Sequence, residues 1–198
     1  MGQYWCGHLV PDSGKKQYIV DTDLWQSGMK MKEHYGIHSM PIKAAFAIID
    51  ENPCRVGWIG DYGNEDSDFE IAPKWYGNDV YEACWSGDEE NRRGMVYGKE
   101  ALPISDDWNP SSGYLVNHDK RCFIDLDVAR HTCLDGYGRS ISPLPLLCAI
   151  GNGRGGGDYD GMNLELVGSW AYDLIERSDE APSGYVDATS IYRFGEVG

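Results

Sequence analysis

The sequence has no apolar run approaching the roughly 20 residues that a membrane-spanning helix requires, so a helical membrane protein is excluded. Its opening, "MGQYWCGHLV", has no basic stretch leading into an apolar one, and no secretory leader is expected. Gly2 is followed by Cys6 where a myristoylation signal carries Ser or Thr. The six cysteines (Cys6, Cys54, Cys84, Cys122, Cys133, Cys148) never form a C-x-x-C pair, which removes a zinc ribbon or a thioredoxin-like site. Scattered thiols without a leader point to a reducing, cytoplasmic setting. There is no H-E-x-x-H, no G-x-S-x-G elbow and no Gly-Lys-Ser/Thr loop, so no catalytic residue is assigned and the reading leans away from an enzyme. Bases are scarce too: 17 Lys and Arg stand against 32 Asp and Glu.

The resulting net charge of −15 repels phosphate backbones, which disfavours direct binding of nucleic acid, and it attracts basic surfaces. Hydrophobic residues make up 41% of the 198 and aromatics 12%, enough for a packed core. The 25 glycines and 9 prolines predict many turns and short elements.

An internal repeat organises the chain. "KQYIVDTDL" (16–24) parallels "KRCFIDLDV" (120–128): Lys16 matches Lys120, Val20 matches Ile124, Asp21 matches Asp125 and Asp23 matches Asp127. Before each stands a pair, Leu9-Val10 and Leu115-Val116. After each comes a proline-opened apolar segment, "MPIKAAFAI" (40–48) and "SPLPLLCAI" (142–150). Each half then predicts a hairpin, with "CGHLV" leading to "QYIVD" and "GYLVN" to "CFIDL". The segment at Pro41 reads as a helix, and its partner at Pro143 as either helix or buried strand. A third strand follows over 55–62 and over 170–176. The expected fold class is therefore α+β: two related β-β-α-β halves (1–62 and 113–198) with antiparallel sheet pairing, related by a pseudo-two-fold axis. An acidic, aromatic connector (63–112) lies between them, Gly-rich loops join the elements, and one further strand falls in the C-terminal segment. The whole reads as one compact unit.

"GNGRGGGDYDG" (151–161) satisfies G-x-G-x-x-G on its face. A dinucleotide loop needs a strand before it and a helix after it, and Gly161 and Gly168-Ser169 break any long helix here. The first reading is conformational, since a glycine run lets the chain reverse and pass close to a neighbouring backbone. A second reading makes it a ligand or divalent-cation loop built from Arg154, Asp158, Asp160, Asn163 and Glu165, oxygen donors of the kind hard cations take. No other cofactor is expected. His34 and His38 would share one face of a helix as metal ligands, although Gly36 between them weakens that helix. Trp58 and Trp170 read as buried anchors of the two halves. Trp25, Trp75, Trp85 and Trp108 sit in Gly-, Asp- or Asn-rich surroundings suited to a protein-binding face.

The "MGQYW" start, the hairpin after it, "GNGRGGGD" and "VGSWAYD" together resemble a group of uncharacterised bacterial and phage proteins. That resemblance implies a prokaryotic or phage accessory protein and brings no activity with it. The expected function is an acidic protein-binding module, of an inhibitor or immunity type, that covers a basic nucleic-acid-handling surface. Its contact groups would be Asp61, Glu65, Asp66, Asp68 and Glu70, with Asp88, Glu89 and Glu90 as a second patch. Two alternatives stand beside it: a small metal-dependent hydrolase or nucleotide-binding enzyme using the loop at 151–161, and a structural homo-oligomeric component. Oligomeric state and partner identity are not legible.

Overall fold

The computed structural model describes residues 3–13, 17–61, 95–97, 112–151 and 158–195. Among these residues nine strands form one mixed sheet: β1 (Trp5–Pro11), β2 (Gln17–Asp21), β3 (Cys54–Gly60), β4 (Met95–Tyr97), β5 (Tyr114–Asn117), β6 (Cys122–Asp125), β7 (Ala149–Ile150), β8 (Leu174–Ser178) and β9 (Val186–Asp187). The order across the sheet is β4-β2-β1-β3-β8-β5-β6-β9, with β7 beside β3. Both predicted hairpins form, β1 antiparallel to β2 and β5 antiparallel to β6. In the middle β3 runs antiparallel to β8, and at the two edges β4 and β9 pair parallel to β2 and β6. The α+β class is therefore as the sequence implies.

Among the described residues four α-helices lie in the connections: α1 (Met31–His34), α2 (Met40–Glu51), α3 (Leu126–Thr132) and α4 (Pro143–Leu147). Pro41 sits in the first turn of α2, where its missing N–H costs nothing. The face carrying Ile42, Ala45, Phe46 and Ile49 is buried against the sheet. α4 repeats the device with Pro143, and Ser142 caps it by accepting from the Leu144 N–H. The open choice at 142–150 resolves as both elements in turn, a one-turn helix followed by the two residues of β7.

Two boundaries differ from expectation. α3 follows β6 without any linker, started by Asp125, whose carboxylate accepts from the Val128 N–H at 3.0 Å. The strand expected over 170–176 spans Leu174–Ser178 instead. The segment before it is held in turns by backbone bonds, with Gly168 N–H donating to the Leu146 carbonyl, Trp170 N–H to Leu147 and Tyr172 N–H to Val56.

Every residue of β1 is buried, so both faces of the sheet centre are covered. One face carries Trp5, Leu9, Val56 and Trp58 into a core with α2, Leu115, Ile124 and Trp170. The other carries Cys6, His8, Val10 and Ile59. Gly7 lies opposite Trp58 in the β1–β3 register. A Cβ there would stand 2.8 Å from the Trp58 ring, so only glycine lets the indole lie flat across β1. The position of that indole matters, because its N–H donates to His34 Nε2 at 2.9 Å.

Candidate functional site

His34 and His38 do not form a metal pair. α1 ends at His34, whose Nδ1 meets the Gly28 carbonyl at 3.2 Å while Nε2 accepts from Trp58. That assignment leaves a neutral ring, and burial pushes its pKa down to about 4. His8 is held likewise between the Tyr172 hydroxyl (2.8 Å) and Gln17 Oε1 (3.0 Å), and burial lowers its pKa to about 4 as well. Both imidazoles are structural cross-links between elements, and both are shut off from solvent.

Around the glycine run the sequence singled out five residues. Arg154 lies outside the described residues. Asp158 is buried, and one of its partners is the Trp5 indole N–H, which donates to Oδ1 at 2.8 Å across a separation of 153 positions. Asp160 is exposed and pairs with Lys32. Asn163 takes a left-handed conformation and donates from Nδ2 to the Arg193 carbonyl at 2.7 Å. Glu165 is exposed in a 3-10 turn (Leu164–Leu166). Each of the four thus has its own surroundings, and among the described residues no group of three or more His, Cys, Asp or Glu could hold a metal ion.

Asp158 instead helps to enclose a cavity of about 120 Å³, lined also by Trp5, Met31, Leu146, Gly151, Tyr159 and Val167. Its walls are fixed. Trp5 is held by its own N–H, and the Tyr159 hydroxyl donates towards the Met162 and Gly195 carbonyls and accepts from the Gly195 N–H. Gly151 is required at the rim, since a Cβ would lie 2.5 Å from the Trp5 ring and 2.6 Å from the Gln3 amide nitrogen. The Gln3 side chain is fully buried, and neither its nitrogen nor its oxygen has a hydrogen-bond partner. Such unsatisfied groups are rare in native interiors and mark places worth explaining.

Of the predicted acidic contact groups, Asp61 is a half-buried residue that closes the end of the β1–β3 ladder. Its carboxylate accepts from the Tyr4 N–H, and its own N–H donates to the Tyr4 carbonyl. Glu65, Asp66, Asp68, Glu70, Asp88, Glu89 and Glu90 lie outside the described residues. A different acidic surface is described at the β6–β9 end of the sheet. There an open groove of about 300 Å³ is lined by Asp125, Val128, Thr132, Asp187, Thr189, Ser190 and Arg193.

Thr189 ties that groove together, donating its hydroxyl to Asp187 at 2.6 Å and accepting from the Asp125 N–H at 2.8 Å. The bonds from the Thr189 hydroxyl and N–H hold the Asp187 carboxyl below the usual carboxylate range. Exposed aliphatic groups border the same region: Val128 at 46%, Val186 at 64% and Ile191 at 55%. The repeat in the sequence matches Asp125 with Asp21 without marking it as a contact residue. The available signal was the repeated Asp-x-Asp after each second strand, where Asp21 likewise accepts from the N–H of Asp23.

A second exposed feature is the turn at 135–139. The buried Asp135 carboxylate accepts from the N–H groups of Tyr137 and Arg139 and from Arg139 Nε. Arg139 lies over the Tyr137 ring, 5.3 Å from its centroid, and Tyr137 is 86% exposed.

Comparison of the chain with protein-family models, with curated proteins and with solved structures finds no match. No described helix is long and apolar enough to cross a membrane.

Proposed function

We propose that this protein is an acidic protein-binding module that docks on a basic, nucleic-acid-handling surface of another protein, as an inhibitor or immunity-type factor of a bacterial or phage system. The observation that carries this reading is the net charge of −15 in a chain of 198 residues. A molecule so charged is steered toward surfaces that otherwise meet phosphate, and steering raises association rates more than it adds affinity.

The groove at the β6–β9 end supplies contacts of the matching kind. Asp125 and Asp187 offer carboxylates to Lys or Arg heads, while Val128 and the exposed Ile191 offer aliphatic area to their stems. The rigid Tyr137–Arg139 turn adds an aromatic-arginine pair of the type enriched at interface centres, already ordered and so cheap to bury. The resemblance to bacterial and phage proteins supports the same setting, as does the burial of the five described cysteines as thiols, for a cytoplasmic location.

The doubled architecture belongs to this proposal as well. The strand order reads alike from both ends when β1, β2, β3 and β4 are matched with β5, β6, β8 and β9. The antiparallel β3–β8 junction lies at the centre, and a parallel edge pair closes each side. Two related halves about a pseudo-two-fold axis account for that order, and they would present two edge surfaces rather than one.

The test is capture from the native cell with tagged protein, followed by titration of the captured partner against wild type and Val128→Arg. The reading expects a basic nucleic-acid-binding protein whose affinity falls at least tenfold with the arginine. Capture of acidic proteins only, or an affinity indifferent to Val128→Arg, counts against it.

A further inference from the structure

Three side chains from separate segments meet beside the β5–β8 pair: His118, Glu176 and Tyr185. Glu176 of β8 lies opposite Val116 of β5, which puts His118 at the diagonal position that long side chains can span. His118 Nε2 stands 2.7 Å from Glu176 Oε2, and its Nδ1 stands 3.0 Å from the hydroxyl of Tyr185, the residue before β9. Glu176 as a carboxylate only accepts, so Nε2 carries a proton. In the neutral ring Nδ1 is then an acceptor, and the Tyr185 O–H donates to it. A nucleophile, a base and a group that orients the base stand in this order wherever a hydroxyl is activated for attack. The backbone fixes their places, with the His118 N–H donating to the Leu174 carbonyl and the Val186 N–H to the Arg121 carbonyl.

Arg121 adds a cation. Its guanidinium lies over the Tyr185 ring, 5.2 Å from the centroid. The residue is held in the left-handed backbone region at φ 53°, an uncommon conformation for arginine and one that clusters at functional sites. Positive charge beside a reacting hydroxyl stabilises the oxyanion that forms when a carbonyl is attacked. The His118 and Glu176 side chains are 28% and 38% exposed and Tyr185 is half-buried, so a substrate can reach the group without a change of fold. Tyr137 offers the comparison: Arg139 lies over its ring at 5.3 Å, but among the described residues no imidazole meets its hydroxyl.

We propose that Tyr185 is a nucleophile that takes the acyl group of an activated carboxylic ester, with His118 as its general base and Glu176 as the positioning residue. The Tyr185 oxygen bonds to the ester carbonyl carbon as its proton passes to His118 Nδ1. The bond from that carbon to the leaving oxygen then breaks, and His118 returns the proton to that oxygen. Ester and tyrosine thus become acyl-tyrosine and alcohol. The net charge of −15 favours an uncharged ester over a phosphate ester.

The test treats the whole protein with p-nitrophenyl acetate at pH 7 and follows acetylation of each tyrosine by mass spectrometry of acid-quenched samples. Tyr185 should be acetylated at least about tenfold faster than Tyr137, although Tyr137 is 86% exposed, because a placed general base contributes about a hundredfold or more. His118→Gln and Glu176→Gln should each bring Tyr185 down towards the Tyr137 rate and leave Tyr137 itself unchanged. A role confined to cross-linking β8 with the C-terminal segment would lower Tm in both variants and leave Tyr185 slow in wild type. Should a variant fail to fold, the ratio of the two tyrosines in wild type decides. Tyr185 reacting no faster than Tyr137, or a fast rate that survives either substitution, overturns the proposal. The readout involves no protein partner, so its failure leaves the docking reading untouched.

Discussion

His8 and His34 are buried as neutral rings, each bonded through both nitrogens, and burial lowers both pKa values to about 4 from 6.5. Between pH 6.5 and 4 the unfolded chain takes up protons that the folded chain refuses. Stability is thus fully present above pH 6.5, falls as pH drops through that window, and loses nothing further from these groups below it. The linkage is on the order of 3 kcal/mol for each ring. Chemical denaturation followed from pH 7 to 4 should show this loss, and the double variant His8→Gln, His34→Gln should flatten the slope even though its stability at pH 7 is lower. A slope unchanged in the variant would mean that other groups govern acid unfolding.

The thiols belong to the same scale. Burial pushes Cys54 up to about 12 and raises Cys122, Cys133 and Cys148 above the ordinary thiol range. Because the thiolate is the reactive form, these four should resist a thiol reagent such as DTNB in the native protein and react when it is unfolded. Rapid native labelling of Cys54 or Cys148 would show that the core opens readily.

The elements are built from local signals and from one long-range fit. Asp125 starts α3 directly at the end of β6, and Asp125→Ala should cost about 1 kcal/mol through the lost cap. Gly7→Val places a branched side chain where a Cβ alone would be 2.8 Å from the Trp58 ring. It should cost 3 kcal/mol or more by displacing the indole and breaking its bond to His34. Denaturant midpoints check both, and a Gly7→Val protein as stable as wild type would contradict the packing described.

At this level much was legible. The alternation in "QYIVD" and "CFIDL" gave the hairpins, and the first-turn prolines marked α2 and α4. α3 was hidden because "LDVARHT" follows a strand without a linker and lacks a strong helical pattern, so its cap at Asp125 was the only cue. The Trp5–Asp158 contact was beyond reach, since residues 153 positions apart leave no local trace of their meeting.

Across the whole molecule the described strand order runs β4-β2-β1-β3-β8-β5-β6-β9, with β3 beside β8 at the centre, an order that the proposed pair of related halves would account for. Four positions matched in the sequence, Leu9 with Leu115 and Val20 with Ile124, are all buried in one core. What the repeat does not specify is which surface works. The two acidic runs read from the sequence depend on residues beyond those described, whereas the groove of Asp125, Asp187 and Thr189 arises only when the C-terminal segment pairs with β6. Composition speaks to the choice of partner more directly than any one site, because charge acts over the whole surface.

The most direct test is therefore the affinity of the captured partner measured between 50 and 500 mM salt, with and without competing DNA. Electrostatic docking on a phosphate-binding surface predicts an association rate that drops steeply with salt and a complex that DNA displaces. An affinity constant across that range and indifferent to DNA would contradict it.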